Sequence, residues 1–550
     1  MILKGARILV EELIRHGATT VFGFPGGAVL DIYDELYKCS DRIDHVITAH
    51  EQGASHAADG YARVTGKTGV VIATSGPGAT NLVTGIANAY LDSVPMVAIT
   101  GNVAESMLGK DSFQEVDIVG ITLPIVKHSY IARDVCELEN IITEAFELAN
   151  SGRKGPVLID IPKSTQQAMC EYKGSSEYKK KKKRNNYNLE EATELIKNSK
   201  RPYIYCGGGA IASDMGDNIV KLSQKLDAPV GLSMMGLTAV PGSYKLNMGM
   251  TGMHGRLASI IAQAEADLLI GIGVRFSDRA TGNVDEYRKN CKIIHIDIDE
   301  AEFGKNIPGI VELCGDANQI VEELINKLPN FEHKSWVEKL IKQKEIDDTP
   351  RKVGGFVPRN IIRMVNNFVK PETVVATDVG QHQMWTMQHY RFRKPRTLLT
   401  SGGLGTMGYG MGAAIGGCIA NDRKRTILFT GDGSFGMNLN ELATAVSQKL
   451  PIMIVLFNNN TLGMVRQWQN MFYESRFSST TLDRGTDFVA LAKAFGAGGA
   501  RITSMEELTD LLTDGIPKDG PFVIECMIDI DELVLPMIPA GGSFKDLVVD

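Results

Sequence analysis

Short apolar runs rich in valine, isoleucine and phenylalanine alternate with longer amphipathic stretches along almost the whole chain. Four runs in the first third, at 20–23, 45–48, 69–74 and 96–100, read as strands, as do four in the last third, at 373–377, 426–430, 452–457 and 522–527. Helical spacing fills the gaps: Leu9, Leu13 and Ile14 share a face near the start, 52–62 reads as a small-residue helix, and 439–446 is amphipathic. Strands alternating with helices predict an α/β fold of mainly parallel sheets covered by helices.

The alternation breaks twice. Between the strand-like 156–162 and the next strand at 202–205 lies the basic run 179–184, set among Gly, Ser and Asn, which reads as a solvated linker rather than a polyanion-binding patch. A charged helical stretch at 336–345 then ends in Thr349-Pro350-Arg351 and Gly354-Gly355. The expected organisation is three consecutive domains, 1–168, 189–330 and 356–550, with linkers at 169–188 and 331–355.

Composition narrows the function classes. A chain of 550 residues, 43% of them hydrophobic, supports about three large cores, yet no apolar run reaches the ~20 residues that span a bilayer. The start runs straight into a helical pattern without the features of a secretory leader. A net charge of −7 offers nothing global to nucleic acid or a membrane surface. The eight cysteines stand singly, without a Cys-x-x-Cys pair, which predicts core thiols rather than zinc or redox chemistry. Together these features predict a cytoplasmic protein.

Candidate chemistry begins at two strand ends. Gly431-Asp432-Gly433 closes one apolar run and Asn458-Asn459-Asn460 closes the next, with Asn459 27 positions after Asp432. A strand, helix, strand unit makes the two strands parallel, so both turns lie on one sheet edge. The Asp432 carboxylate and an Asn amide oxygen then converge on one hard cation, and oxygen-only ligation suits a Mg²⁺ that carries phosphate oxygens. The stretch 431–436 also satisfies the loose Gly-x-Gly-x-x-Gly pattern of a nicotinamide-dependent dehydrogenase. In that fold the second strand should end in an acid, whereas here it ends in asparagines.

This pair of turns resembles the signature of thiamine diphosphate (ThDP) enzymes. The resemblance implies a pyrimidine-binding first domain, a diphosphate-binding last domain, and Mg²⁺ held by Asp432, Asn459 and the carbonyl of Thr461. Glu51, within Ala49-His50-Glu51-Gln52-Gly53, becomes the carboxyl that shares a proton with the cofactor's aminopyrimidine. Read alone, it is a first-turn acid complementing a helix dipole. Gly26, Gln381, His382, Gly405, Met407, Gly433, Ser434, Gly463 and Met464 are further implied ThDP contacts, with Met407 the bulky wedge that bends the cofactor. As residues, Phe24-Pro25-Gly26-Gly27 and Ser75-Gly76-Pro77-Gly78 fit either close approach to a ligand or ordinary tight turns.

Directly after the second turn, Gly463-Met464-Val465-Arg466-Gln467-Trp468 is similar to the acetohydroxyacid synthases (acetolactate synthases) in their biosynthetic large-subunit form. The middle segment adds Gly207-Gly208-Gly209, Gly249-Met250-Thr251-Gly252-Met253-His254-Gly255, Gly273-Val274-Arg275 and His295-Ile296-Asp297, which together resemble that family's FAD-binding domain. Implied flavin contacts are Arg153, Gly208, Gly209, Thr251, Gly252, Met253, His254, Arg275, Asp297 and Asp316. The implied catalytic and substrate residues are Glu51, Gln114, Lys163, Arg279 and Trp468. Arg279 would pair with the carboxylate of a second 2-oxo acid, and Trp468 would shape the pocket for its alkyl group.

The implied reaction joins two 2-oxo acids with loss of CO₂. Pyruvate alone gives 2-acetolactate and pyruvate with 2-oxobutanoate gives 2-aceto-2-hydroxybutyrate, leading to branched-chain amino acids. The family further implies a structural rather than redox-active FAD, a ThDP site shared between chains of a homodimer or homotetramer, a small regulatory subunit, and a C-terminal cover at 539–545. Ala104 stands where the family commonly has proline, and Ser277 where it commonly has aspartate. A flavin-free catabolic synthase, a pyruvate oxidase-like enzyme and a non-catalytic homologue are the alternatives.

Overall fold

The computed structural model describes residues 1–174, 187–349 and 355–549, so the basic run 179–184 lies outside the described residues. In chain order the first domain holds β1 (Ile2–Lys4), β2 (Thr20–Phe24), β3 (Asp44–Ile47), β4 (Gly69–Ala73), β5 (Met96–Asn102), β6 (His128–Ile131), β7 (Pro156–Pro162) and β8 (Met169–Glu171). β2 to β7 form a parallel sheet in the order β3-β2-β4-β5-β7-β6, and β1 pairs antiparallel with β8 to tie the domain's ends together.

The middle domain contains β9 (Pro202–Cys206), β10 (Val230–Leu232), β11 (Asn247–Met250), β12 (Leu268–Ile272), β13 (Lys292–Asp297) and β14 (Val311–Cys314), in the order β11-β10-β9-β12-β13-β14. The third contains β15 (Val374–Thr377), β16 (Leu398–Leu399), β17 (Thr426–Gly431), β18 (Ile452–Asn458), β19 (Gly498–Ile502) and β20 (Phe522–Met527), in the order β16-β15-β17-β18-β20-β19. Within their own domains the first and third sheets share one order, 2-1-3-4-6-5, a repeat of topology without a repeat of sequence. The middle sheet runs 3-2-1-4-5-6, the order of dinucleotide-binding folds. In such sheets ligands bind beyond the carboxyl ends of the strands where the order reverses. Those points lie between β2 and β4, between β9 and β12, and between β15 and β17.

In the six-stranded sheets of the first and third domains, the strands that the apolar pattern misses, β6, β16 and β19, are all at sheet edges. Their residues are half exposed, so no apolar run marks them. The expected helix at 439–446 is corrected: a helix opens at Asp432 (Asp432–Asn438), tightens into a 3₁₀ turn (Leu439–Glu441) and resumes at Leu442–Ser447. Gly433 and Gly436, weak helix formers, hide its first turn from a reading of periodicity. The cysteine expectation is corrected too, because Cys136 and Cys170 form a disulfide. The other six remain thiols, four of them buried.

The first and third domains meet along the Glu51–Thr65 and Tyr409–Ala420 helices, where glycines let the backbones touch. A Cβ at Gly416 would strike the Ala57 carbonyl, and one at Gly60 the Ala413 carbonyl. Within this contact Arg63 bridges Asp59 at 2.6 Å and Asp92 at 2.9 Å, and both carboxylates are fully shielded from solvent. Tyr409 Oη donates to Asp59 at 2.6 Å, while Asp92 accepts from the amides of Gly402 and Gly403 at 3.0 and 2.7 Å. Arg63→Met would leave two buried carboxylates without their cation. We expect it to destabilise the chain by about 3–5 kcal/mol, seen as a lower urea midpoint.

Candidate active site

The first domain assembles one half of a site at the reversal point between β2 and β4. Gly26, just past β2, packs so tightly on Thr74 that a Cβ would lie 2.5 Å from its side chain. Glu51 is the first residue of its helix and only 9% exposed. Its carboxylate accepts from Asn81 Nδ2 at 3.0 Å and faces Gly78, where a Cβ would sit 3.2 Å from Oε1. Lys163, at the end of β7, reaches the Gly27 carbonyl at 3.4 Å. Gln114 holds a left-handed backbone (φ 59°) against Gly76. Glu51, Gly26, Gln114 and Lys163 are thus gathered on one sheet edge.

The third domain assembles the other half between β15 and β17. Gln381 and His382 open the helix after β15, Asp432 and Gly433 open the helix after β17, and Asn459 and Thr461 follow β18. Asp432, Asn459 and Thr461 are all buried. Burial pushes the Asp432 carboxyl up to about 6, against the opposing pull of nearby backbone amides and of Arg484. His382 Nε2 and Gln381 Oε1 are buried without hydrogen-bond partners, and burial lowers His382 to about 3. Ser434 Oγ is committed to the Val379 carbonyl at 2.6 Å. A Cβ at Gly433 would meet Leu462 at 2.8 Å and Met407 at 3.8 Å, while one at Gly463 would collide with Gln381. Met464 is partly buried beside them, and Gly405 lies in an exposed turn with φ 72°.

This donor set fits a cation bound together with a diphosphate. Among the described residues no group of three His, Cys, Asp or Glu side chains gathers as a metal site. The turns instead supply one carboxylate, one amide and one carbonyl, which leaves a hard cation needing outside oxygens. The unpartnered His382 and Gln381 atoms face the same edge as unused polar groups.

The middle domain's reversal point is equally shaped for close approach. A Cβ at Gly207 would strike the Gly273 carbonyl, and Gly209 N donates to that carbonyl at 3.2 Å. Gly208 opens the helix there, and Arg275 lies beside Gly403 of the third domain. Gly252 holds φ 117° after β11, followed by Met253 and a buried His254 whose Nδ1 has no partner and whose pKa burial lowers to about 4. Asp297, at the end of β13, is pushed up to about 6 by burial. Several of the expected flavin residues are engaged within the protein, Asp297 accepting from Asp299 N at 2.9 Å. Arg153 pairs with Glu302 at 2.8 Å, the Thr251 hydroxyl shares hydrogen bonds with Tyr203 and Ser259, and Asp316 caps the Ala317–Lys327 helix.

Arg279 and Trp468, far apart in sequence, meet where the middle and third domains touch: the guanidinium lies 5.6 Å from the indole centroid. Arg279 Nη1 also contacts Met253 Sδ at 3.5 Å, and Trp468 Nε1 is buried without a partner. The C-terminal segment crosses the same place. Ile538 N donates to the Met253 carbonyl at 2.8 Å, Asn283 N to that of Gly542 at 2.9 Å, and Lys545 pairs with Glu286 at 3.1 Å. Beneath it lies a cavity of about 210 Å³ lined by Met253, Arg279, Ile538, Pro539 and Phe544.

Sequence reasoning missed Asp378, whose carboxylate accepts from Gly408 N at 2.8 Å and so fixes the residue after Met407. It also missed the role of Gln467, which bonds Gln381 and both main-chain groups of Val534. Asp378 ends the β15 run and could have been found as a strand-end acid. Gln467 carries no such signal.

Comparison with known proteins agrees with this geometry. The family model of the thiamine pyrophosphate enzyme N-terminal TPP binding domain matches residues 3–121, the central domain 189–324, and the C-terminal TPP binding domain 378–526. The chain is 41% identical to the probable acetolactate synthase large subunit of Methanocaldococcus jannaschii, covering 99% of this chain and 95% of the relative. It is 40% identical to the acetolactate synthase large subunit of Haemophilus influenzae, covering 100% and 98%. Against the acetolactate synthase of Mycobacterium leprae identity is 42%, covering 99% and 90%. With the three domain models matched in order and this identity sustained from end to end, the chain belongs to the acetolactate synthase family of thiamine pyrophosphate enzymes.

Proposed function

We propose that the chain is the catalytic subunit of a biosynthetic acetolactate synthase, joining two 2-oxo acids with loss of CO₂. One observation carries this reading: a buried carboxylate, amide and carbonyl at the third sheet's reversal point, faced by unpartnered Gln381 and His382 atoms. When bound, ThDP supplies a carbon nucleophile and an electron sink for decarboxylation. Asp432, Asn459 and the Thr461 carbonyl would hold Mg²⁺, and through it the diphosphate. Glu51 would exchange a proton with the cofactor's aminopyrimidine, and Met407 would pack against the cofactor from the third domain.

Arg279 binds the carboxylate of the second 2-oxo acid, pyruvate or 2-oxobutanoate, while Trp468 limits the room for its alkyl group. Gln114 and Lys163 stand at the rim of the Glu51 half. The segment 538–545 excludes water from the Arg279 side, where stray protonation would divert the reaction. FAD would be held as a structural group, with Gly208 and Gly209 at the middle sheet's reversal point and Gly252 and His254 after its edge strand β11. Arg279→Gln is expected to raise KM for the acceptor acid about 10- to 100-fold, the range of a lost charge-assisted hydrogen bond. Steady-state kinetics at varied acceptor concentration measures this.

The two halves call for a second copy of the chain. Tyr409, two residues past Met407, bonds Asp59, which lies about 12 Å along the helix axis from Glu51. Glu51 takes its hydrogen bond from Asn81 of its own domain. Around both halves large apolar side chains stand exposed: Leu30 at 58%, Phe113 at 87% and Met437 at 58%. A homodimer covers them and lays Glu51 of one chain over the Asp432 turn of the other. The name large subunit borne by the relatives supports a small-subunit partner. No helix among the described residues is long and apolar enough to cross a membrane, which agrees with a cytoplasmic enzyme.

The test is acetolactate formation from pyruvate with ThDP, Mg²⁺ and FAD omitted in turn. A requirement for all three supports the biosynthetic reading. Full activity in protein whose absorbance shows no flavin would move the chain to the catabolic, flavin-free type.

A further inference from the structure

Glu441 belongs to none of the cofactor or substrate contacts above, yet it is wholly buried. It ends the 3₁₀ turn that continues the helix opened by Asp432. No lysine or arginine pairs with its carboxylate among the described residues, and the His50 ring is the titratable group that faces it. Instead Oε1 accepts from His50 N at 2.9 Å, Oε2 from Ala49 N at 3.2 Å, and Thr444 Oγ1 donates to Oε2 at 2.7 Å. Both amides belong to the first domain, in the corner between β3 and the helix that Glu51 opens. Two residues after Glu51, Gly53 leaves the room this carboxylate needs, since a Cβ there would collide with it.

Bonds from a buried carboxylate to backbone amides are charge-assisted and roughly twice as strong as neutral ones. They fix the two residues immediately before Glu51. His50 adds to the corner as the helix cap, its Nδ1 accepting from Gln52 N at 3.1 Å. The point from which the Glu51 side chain departs is therefore set from the third domain of its own chain.

We propose that Glu441 is a positioning residue for Glu51, clamping the Ala49 and His50 amides so that the Glu51 carboxyl is presented to the reacting cofactor. The proposal rests on the role assigned to Glu51. It has a structural consequence, because Glu441 lies on the segment launched by Asp432. In a dimer whose sites are shared, the metal turn of one active centre and the proton-exchanging Glu51 of the other are joined within one chain.

The experiment compares Glu441→Ala, Glu441→Gln and Glu51→Gln in the full-length protein. In cofactor-free Glu441→Ala, hydrogen exchange in the segment 48–54 is expected to quicken about tenfold or more, because two amides lose their acceptor. With cofactors, kcat for acetolactate formation should fall about tenfold or more through misplacement of the proton-transfer group. The concentration of Mg²⁺ and ThDP giving half activity should stay within about threefold of the unaltered protein, since the metal turn is intact. Glu441→Gln keeps one acceptor oxygen and should fall between the two in both exchange and kcat. An unchanged kcat in Glu441→Ala, or a loss matched by an equal rise in half-saturating Mg²⁺ and ThDP, would overturn the proposal. Should Glu441→Ala fail to fold, Glu441→Gln decides alone: faster exchange at 48–54 with a reduced kcat supports the clamp, and values equal to the unaltered protein refute it. Undiminished activity in Glu51→Gln would instead remove the catalytic role of Glu51 itself.

Discussion

Glu51→Gln is expected to cut kcat for acetolactate formation by about 10²- to 10⁴-fold, the contribution of a positioned proton-transfer group. The fold should survive, because glutamine retains an oxygen to accept the Asn81 hydrogen bond now made at 3.0 Å. Glutamine fills the same volume at the head of the same helix, but it cannot exchange a proton with the aminopyrimidine. The measurement is steady-state kcat beside a thermal midpoint. A loss of kcat at an unchanged midpoint assigns the effect to chemistry.

Asp432→Ala acts on binding rather than on proton transfer. It removes the single charged ligand offered by the metal turn and leaves Asn459 and the Thr461 carbonyl, both neutral. The concentration of Mg²⁺ giving half activity should rise by more than the roughly 10- to 100-fold that loss of an outer-shell partner costs. Stability without cofactor should hold or improve, since burial already pushes this carboxyl up to about 6 and alanine removes an enclosed anion. An apo protein that unfolds more readily on this change would contradict the picture of Asp432 as a ligand held ready for a cation.

Much of the fold was legible because strands buried on both faces announce themselves as apolar runs. β4, β5, β17 and β18 are such strands, buried along every residue. The edges β6, β16 and β19 were not legible, because half-exposed strands carry no such run. Nor was the shared strand order of the first and third sheets, which resides in crossovers rather than in composition. At the site, Asp432 and Asn459 could be paired from spacing alone, since a strand, helix, strand unit forces their turns onto one edge. The pairing of Arg279 with Trp468 is a contact between domains, and only the resemblance to a family pointed to both. Glu441 and the Asp59, Arg63 and Asp92 cluster had no signal at all: a buried acid held by amides or by one arginine looks, in sequence, like any acid on a solvated helix.

The central claim is that each active centre combines Glu51 of one chain with the Asp432 turn of another. Glu51→Gln and Asp432→Ala chains, each nearly inactive alone, can be unfolded together, refolded as a mixture and assayed with ThDP, Mg²⁺ and FAD. Random pairing makes half the dimers mixed, and each mixed dimer holds one intact site, so the account predicts recovery of about a quarter of the unaltered activity. Activity no greater than the sum of the two variants refolded separately, in a mixture shown to contain mixed dimers, would contradict it.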